Sequence, residues 1–294
     1  MSSSYSPTAE FTDSTTVLAD GDAADATNLN LGAKKALDRA AMLRAATDGL
    51  LVWNGRARVD SGGTNNGNFA VYCPAIEAVS LLDGTTLVAK ALASETQLTS
   101  ASHFGSGTLA ANTVYYVYAY ISASALALQV STDAPGADGI WKTSATGTHR
   151  YLFAFVTDSS GVAIPMTRSS GGVYRYRISA VGLTPVTALS GGTSTSFANI
   201  SLATLIPTTA RLASLYTVCT SASTTAHGQA QFRTDGDTGG YIEQGVGVAD
   251  ASNDFRGTMV FDIEPASRVI EYRYNNSAGY AALTVSIYVL GWVE

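Results

Sequence analysis

Acidic side chains offer the first chemistry to consider. Asp235, Asp237, Glu243, Asp250 and Asp254 form the densest acidic group in the chain. Two carboxylates flanking a glycosidic bond can cleave it, one as general acid and the other as base or nucleophile, but nothing in this spacing selects a pair. The segment "DGDTGG", residues 235–240, begins as a calcium loop does, Asp-x-Asp-x-Gly. A complete loop needs further oxygen ligands and a glutamate at its twelfth position, where this chain has Val246. Asp235 and Asp237 are therefore weak metal candidates, and the expected role of the segment is a hairpin turn. His103, His149 and His227 stand alone, outside any His-Glu-x-x-His or Gly-x-Ser-x-Gly setting. Cys73 and Cys219 lie far apart, with neither a disulfide framework nor metal spacing, and are expected to be buried free thiols. No catalytic residue, metal or cofactor is expected.

Tyrosine carries a stronger signal. The chain holds 15 Tyr against 9 Phe and 3 Trp, and Tyr joins an apolar body to a polar tip. In "NTVYYVYAY", residues 112–120, a period of two gives Tyr115, Val117, Ala119 and Ile121 on one face and Val114, Tyr116, Tyr118 and Tyr120 on the other. A strand wet on one side alternates apolar with polar residues; this one does not. Tyr116, Tyr118 and Tyr120 are expected at a sheet or subunit interface, one face of the strand covered by a sandwich core and the other by assembly contacts. In "YRYR" and "EYRY", Tyr and Arg alternate and so take opposite faces. Loop tips around 235–254 and 275–280 supply the candidate receptor contacts, Tyr241, Asn253, Asn275, Asn276 and Tyr280.

Composition narrows the class. Charged residues make up 14% and hydrophobic ones 46%, against roughly 25% charged in an ordinary soluble domain. A surface so poor in charge is covered by small polar residues or by other subunits. A net charge of -6 opposes nucleic-acid binding, which needs a basic face. The N-terminus lacks the basic and apolar regions of a secretion signal, and no run approaches the roughly 18 apolar residues of a membrane helix.

The elements that position these residues fall into zones. Residues 1 to about 30 read as an extended polar arm. "LGAKKALDRAAMLRAATDG", residues 31–49, is the one clear helix, rich in strong helix formers. A seven-residue period places Leu29, Ala36 and Leu43 in a narrow seam with Ala33 and Ala40, and Leu37 lies beside it. The seam fits contacts between identical helices or a helix packed on its own domain. From residue 50 short β-type runs alternate with Gly, Asn and Asp turn signals, the pattern of a sandwich or barrel. The expected architecture is mainly β: two antiparallel, jelly-roll-like sandwiches at 50–181 and 196–294, joined by a Gly/Ser/Thr-rich linker at 182–195 and preceded by the arm and one short α-helix at 1–49.

Several of these segments resemble bacteriophage tail-fibre and receptor-binding virion proteins. "ATNLNLGAKKALDRAAMLRA" is similar to their N-terminal segments, in which an Asn precedes a short helix; here the matching positions are Asn30, Leu37, Asp38, Arg39 and Leu43. The stretch from Leu109 to Arg177 follows their layout. A Leu-x-x-x-Thr turn leads into a Tyr-rich strand, and an Arg-Tyr-x-x-x-Phe strand, a Thr-Asp-x-Ser-Gly hairpin and an aromatic strand follow. "LATLIPTTARLASLYTV" is similar to a Val-Pro-x-Gly domain start, with Thr209 where Gly is usual; Tyr116 stands where Trp or His is common. The resemblance implies a structural virion protein, not an enzyme, made in the bacterial cytoplasm. It implies a homo-oligomer, trimer favoured, attached to other virion proteins through its N-terminus. Its C-terminal domain would meet a host surface glycan or protein. A capsid decoration or head-fibre protein is the alternative mounting, and a glycan-cleaving tail enzyme the less favoured reading.

Overall fold

The computed structural model describes residues 57–60, 70–83, 86–99, 103–104, 108–136, 139–145, 148–169, 171–177, 186–221, 228–246, 254–275 and 282–294. The arm and helix expected at 1–49, with Leu29, Ala33, Ala36, Leu37, Ala40 and Leu43, lie outside these residues. The described chain is mainly β and antiparallel. Its strands are β1 (Arg58–Asp60), β2 (Ala70–Cys73), β3 (Ile76–Asp83), β4 (Thr86–Leu92), β5 (Thr96–Leu98) and β6 (Val114–Ser122). They continue with β7 (Ala125–Ser131), β8 (Arg150–Val156), β9 (Met166–Ser169), β10 (Val173–Tyr176), β11 (Val186–Gly192) and β12 (Ala198–Ser201). The last are β13 (Leu212–Ser221), β14 (Gly228–Thr234), β15 (Ile242–Val246), β16 (Asp254–Asp262), β17 (Val269–Tyr274) and β18 (Leu283–Val293). Among the described residues no helix is long and apolar enough to cross a membrane.

One large sheet runs β16-β13-β18-β10-β9-β1-β2-β5, with β11 also paired to β18. A four-stranded sheet, β12-β17-β14-β15, faces its β16-β13-β18 end, while β3-β4 packs against β7-β6-β8, and residues of all of them join one apolar core. Alternation explains the packing. On β13, Ala213, Leu215, Thr217 and Cys219 are buried while their neighbours are partly exposed, and on β18 Leu283, Val285, Ile287 and Val289 are buried in the same way. Ile200, Ala230, Phe232, Ile270 and Tyr272 meet them from the smaller sheet. This is a sandwich built from the inward rows of two sheets.

The large sheet does not respect the expected division of the chain. Residues 186–192, expected in a linker, form β11 and pair with Val285–Val289 of β18; beyond them β10 takes over the same edge, pairing Tyr174 with Trp292. The handover is a bulge. Ser214 pairs with Gly291 but Leu215 with Val289, so Leu290 is the extra residue. An extra residue reverses the side-chain alternation, and Trp292 therefore shares the buried face of Val289. Gly291 is required by close approach, because a Cβ there would sit 2.0 Å from the Tyr174 carbonyl oxygen.

Polar groups lock this junction. Trp292 stacks on Tyr174 with ring centroids 4.4 Å apart, worth about 0.5–1.5 kcal/mol beyond burial alone. The Tyr174 hydroxyl donates to Glu294 Oε2 at 2.8 Å and accepts from Arg168 Nε at 3.0 Å. Tyr151 of β8 and Thr209 donate to Glu294 Oε1. Three hydroxyls, of Tyr151, Tyr174 and Thr209, thus converge on one carboxyl, with Arg168 held behind Tyr174. Burial raises the carboxyl's pKa, and the hydroxyl donors together with Arg168 oppose that rise.

The tyrosine row of β6, expected at a sheet or subunit interface, meets residues of the same chain. The Tyr116 hydroxyl meets Thr208 Oγ1 at 2.9 Å and accepts from the Thr208 N–H at 3.1 Å. Tyr118 is fully buried and donates to the Asp133 carbonyl at 2.6 Å. Tyr120, half-buried, stacks on His149 with centroids 4.6 Å apart. The opposite face belongs to the main core, where Tyr115 stacks on Phe155.

Gly291→Ala is expected to lower the unfolding free energy by roughly 1–3 kcal/mol, the usual range for forced overpacking. The shift in chemical-denaturation midpoint measures it.

Candidate functional site

The outer face of the four-stranded sheet carries a layer of planar side chains that the registers of β12, β17, β14 and β15 bring together. Asn199 lies opposite Glu271, and Glu271 opposite Arg233. In the next row Arg273 lies opposite Gln231, and Gln231 opposite Glu243. Phe197 and Tyr241 stand immediately outside β12 and β15, and their ring centres lie only 6.4 Å apart. Because side chains alternate along each strand, the same registers send Ile200, Ala230, Phe232 and Ile270 into the core.

These side chains hold one another flat. Arg233 Nε donates to Glu271 Oε2 at 2.6 Å, an ion pair whose side chains are only 19% and 11% exposed. Arg273 Nε donates to Gln231 Oε1 at 2.6 Å, and Gln231 Nε2 donates to Glu243 Oε1 at 2.9 Å. Asn275 Nδ2 donates to Gln229 Oε1 at 2.8 Å. Both guanidiniums lie on Phe197, with the Arg233 carbon 3.7 Å and the Arg273 carbon 4.4 Å from the ring centre. Arg273 also lies 5.9 Å from the ring centre of Tyr241, and Tyr241 is 49% exposed. Cation–π contacts and charge-assisted hydrogen bonds fix the orientation of groups that would otherwise be mobile on a surface.

Two of the residues expected to contact a receptor, Tyr241 and Asn275, fall on this face. Asn253, Asn276 and Tyr280 lie outside the described residues. Phe197, Arg233, Arg273 and Gln231 were not expected in the site. Only the alternation in "EYRY" hinted at an outward Arg273, and the strand register that gathers the others is not a local signal.

The remaining candidates resolve into structural roles. Asp237 Oδ1 accepts from the Gly239 N–H at 2.8 Å and the Gly240 N–H at 3.3 Å, so this carboxylate closes the β14–β15 turn. Asp235 is half-buried beside it. Among the described residues no three His, Cys, Asp or Glu side chains group as metal ligands. His103 Nδ1 accepts from the Thr99 N–H at 3.0 Å. Burial lowers its pKa, as it does that of His149, where Lys142 adds to the effect. Cys73 and Cys219 are buried free thiols, each pushed up to about 12 by burial, with Glu95 adding to the effect at Cys73.

No family model and no curated protein matches the chain. Among solved structures, the Bacteroides ovatus mixed-linkage glucan utilization locus protein SGBP-B, in complex with a mixed-linkage heptasaccharide, is similar at 13% identity. That likeness covers 76% of this chain and 60% of that one, with a TM-score of 0.23, a level that carries no argument about ligand or function.

A thiol reacts as its thiolate, and both thiols here are enclosed and held protonated. Native protein should therefore leave Cys73 and Cys219 unmodified by Ellman's reagent at neutral pH, and both should titrate on unfolding.

Proposed function

We propose that this protein is a non-catalytic, adhesive virion component of the bacteriophage tail-fibre or receptor-binding type. It attaches to other virion proteins through residues 1–49 and holds a host surface glycan on the outer face of the β12-β17-β14-β15 sheet. The phage reading is supported by the layout of residues 109–177 and by the N-terminal segment around Asn30 and Leu43. The binding reading is carried by one observation: an ordered layer of planar polar side chains, packed with Phe197 and an exposed Tyr241, on a sheet face that no strand among the described residues covers.

The chemistry of that face suits a sugar. Neighbouring hydroxyls of a pyranose present donors and acceptors in pairs, which guanidinium, amide and carboxylate groups can meet two at a time. The apolar face of the ring can lie against Tyr241. Arg233 and Arg273 are balanced by Glu271 and Glu243, so the array is close to neutral and does not select a polyanion. Glu271 accepts from Arg233 and Glu243 from Gln231. Carboxylates tied in this way are placed for holding hydroxyls rather than for passing protons.

The test is binding of the purified chain to a panel of bacterial surface polysaccharides, with reducing ends measured in the same samples. Binding without product is expected, and Tyr241→Ala and Arg273→Ala should each weaken it about tenfold, the equivalent of about 1.4 kcal/mol. New reducing ends would overturn the non-catalytic reading, and unchanged binding by both variants would overturn the choice of face.

A further inference from the structure

The two arginines of the outer face differ in how their charge is met. Arg233 has a carboxylate partner, Glu271, at 2.6 Å. Arg273 has none among the described residues. Its Nε donates to the neutral amide of Gln231, and Gln231 in turn donates to Glu243. The Glu243 carboxylate is thus reached only through that amide. A guanidinium carries five N–H donors. Arg273 uses the one on Nε, and those on Nη1 and Nη2 have no acceptor among the described residues. The side chain is partly exposed. Its position is nevertheless fixed, by the Gln231 bond and by the rings of Phe197 and Tyr241 at 4.4 and 5.9 Å. The Tyr241 hydroxyl also lacks a partner among the described residues.

An oriented guanidinium with no counter-ion is a receptor for a planar anion. Its fork meets a carboxylate through two parallel N–H···O bonds, each roughly twice as strong as a bond between neutral groups. We infer that Arg273 binds the carboxylate of an acidic sugar, a hexuronate, whose ring lies against Tyr241; this rests on the glycan-binding reading of the same face. The placement of charge limits the ligand further. Arg233 is already neutralised by Glu271, and Glu243, two strands away from Arg273 in the same row, repels a second anion. The site therefore takes one carboxylate among uncharged sugars rather than a dense polyanion. Glu243 Oε2 and the Tyr241 hydroxyl are left for the hydroxyls of the ligand.

Calorimetry on the full chain tests this with two probes. One is an oligosaccharide of alternating hexuronic acid and neutral hexose; the other is its carboxyl-reduced form, in which CH2OH replaces each carboxylate. The acidic form is expected to bind about tenfold more tightly, the loss typical of a charge-assisted hydrogen-bond pair. Arg273→Lys keeps the charge but not the planar fork, and should remove most of that preference. Tyr241→Ala should weaken both forms alike, because ring contact does not depend on the carboxylate. Circular dichroism matching wild type confirms that each variant folds, and the comparison of the two probes on wild type needs no variant. Equal binding of the two forms, still weakened by Tyr241→Ala, would overturn the hexuronate and leave the glycan face standing. A full preference retained in Arg273→Lys would place the carboxylate elsewhere and overturn the assignment to this residue. Binding of neither form would overturn the hexuronate, and a neutral polysaccharide held in a Tyr241-dependent way would then preserve the face.

Discussion

Strand β18 is the constraint on which the rest of the molecule depends. β13 pairs with it along its length, while β11 and then β10 share its other edge. It therefore ties residues 57–177 to residues 186–294 through backbone hydrogen bonds as well as packing. The bulge at Leu290 is what lets it serve both. Without that extra residue Trp292 would turn to the other face, and the stack on Tyr174 that fills the junction would be lost. Burying the Arg168 guanidinium and the Glu294 carboxyl costs desolvation, as it does for any buried ionic pair. Four hydrogen bonds, donated by Arg168, Tyr174, Tyr151 and Thr209, offset that cost. They also fix the register, since a slip of one residue would turn the carboxyl to the opposite face, away from its donors.

The same closure explains how a chain with 14% charged residues covers its apolar strands. β6 and β8 are buried on both faces. Thr208 and Thr209, which directly precede the β13 region, reach the hydroxyls of Tyr116 and Tyr151. The tyrosine row is thus sealed by the segment that leads into the second half of the molecule. The ordered polar-aromatic face of the smaller sheet remains distinctive among the described residues.

Much of this was legible in the sequence where the signal was local. The alternation of β13 and β18, the inward tyrosines and outward arginine of "YRYR", the hairpin at 235–240 and the buried thiols all follow from period, turn chemistry or spacing. What failed did so for identifiable reasons. β11 reads as a linker because it is rich in Gly, Ser and Thr and only partly buried, and the partner that makes it a strand lies about a hundred residues on. The pairing of Tyr174 with Trp292 and the gathering of Phe197, Arg233 and Arg273 depend on register between distant strands, which periodicity does not encode. Tyr241 and Asn275 could be selected as candidates, but their neighbours on the face could not.

Native-state hydrogen exchange across a denaturant series tests the central claim most directly, because it reports the free energy of opening strand by strand. If β18 joins the two halves into one unit, the slowest amides of β6 and β8 will share a single opening free energy with those of β13 and β14, and all will converge on the global unfolding line. Two separate values, with β6 and β8 still protected after β13, β14 and β18 have exchanged, would show that the halves unfold independently and would contradict the shared-sheet account.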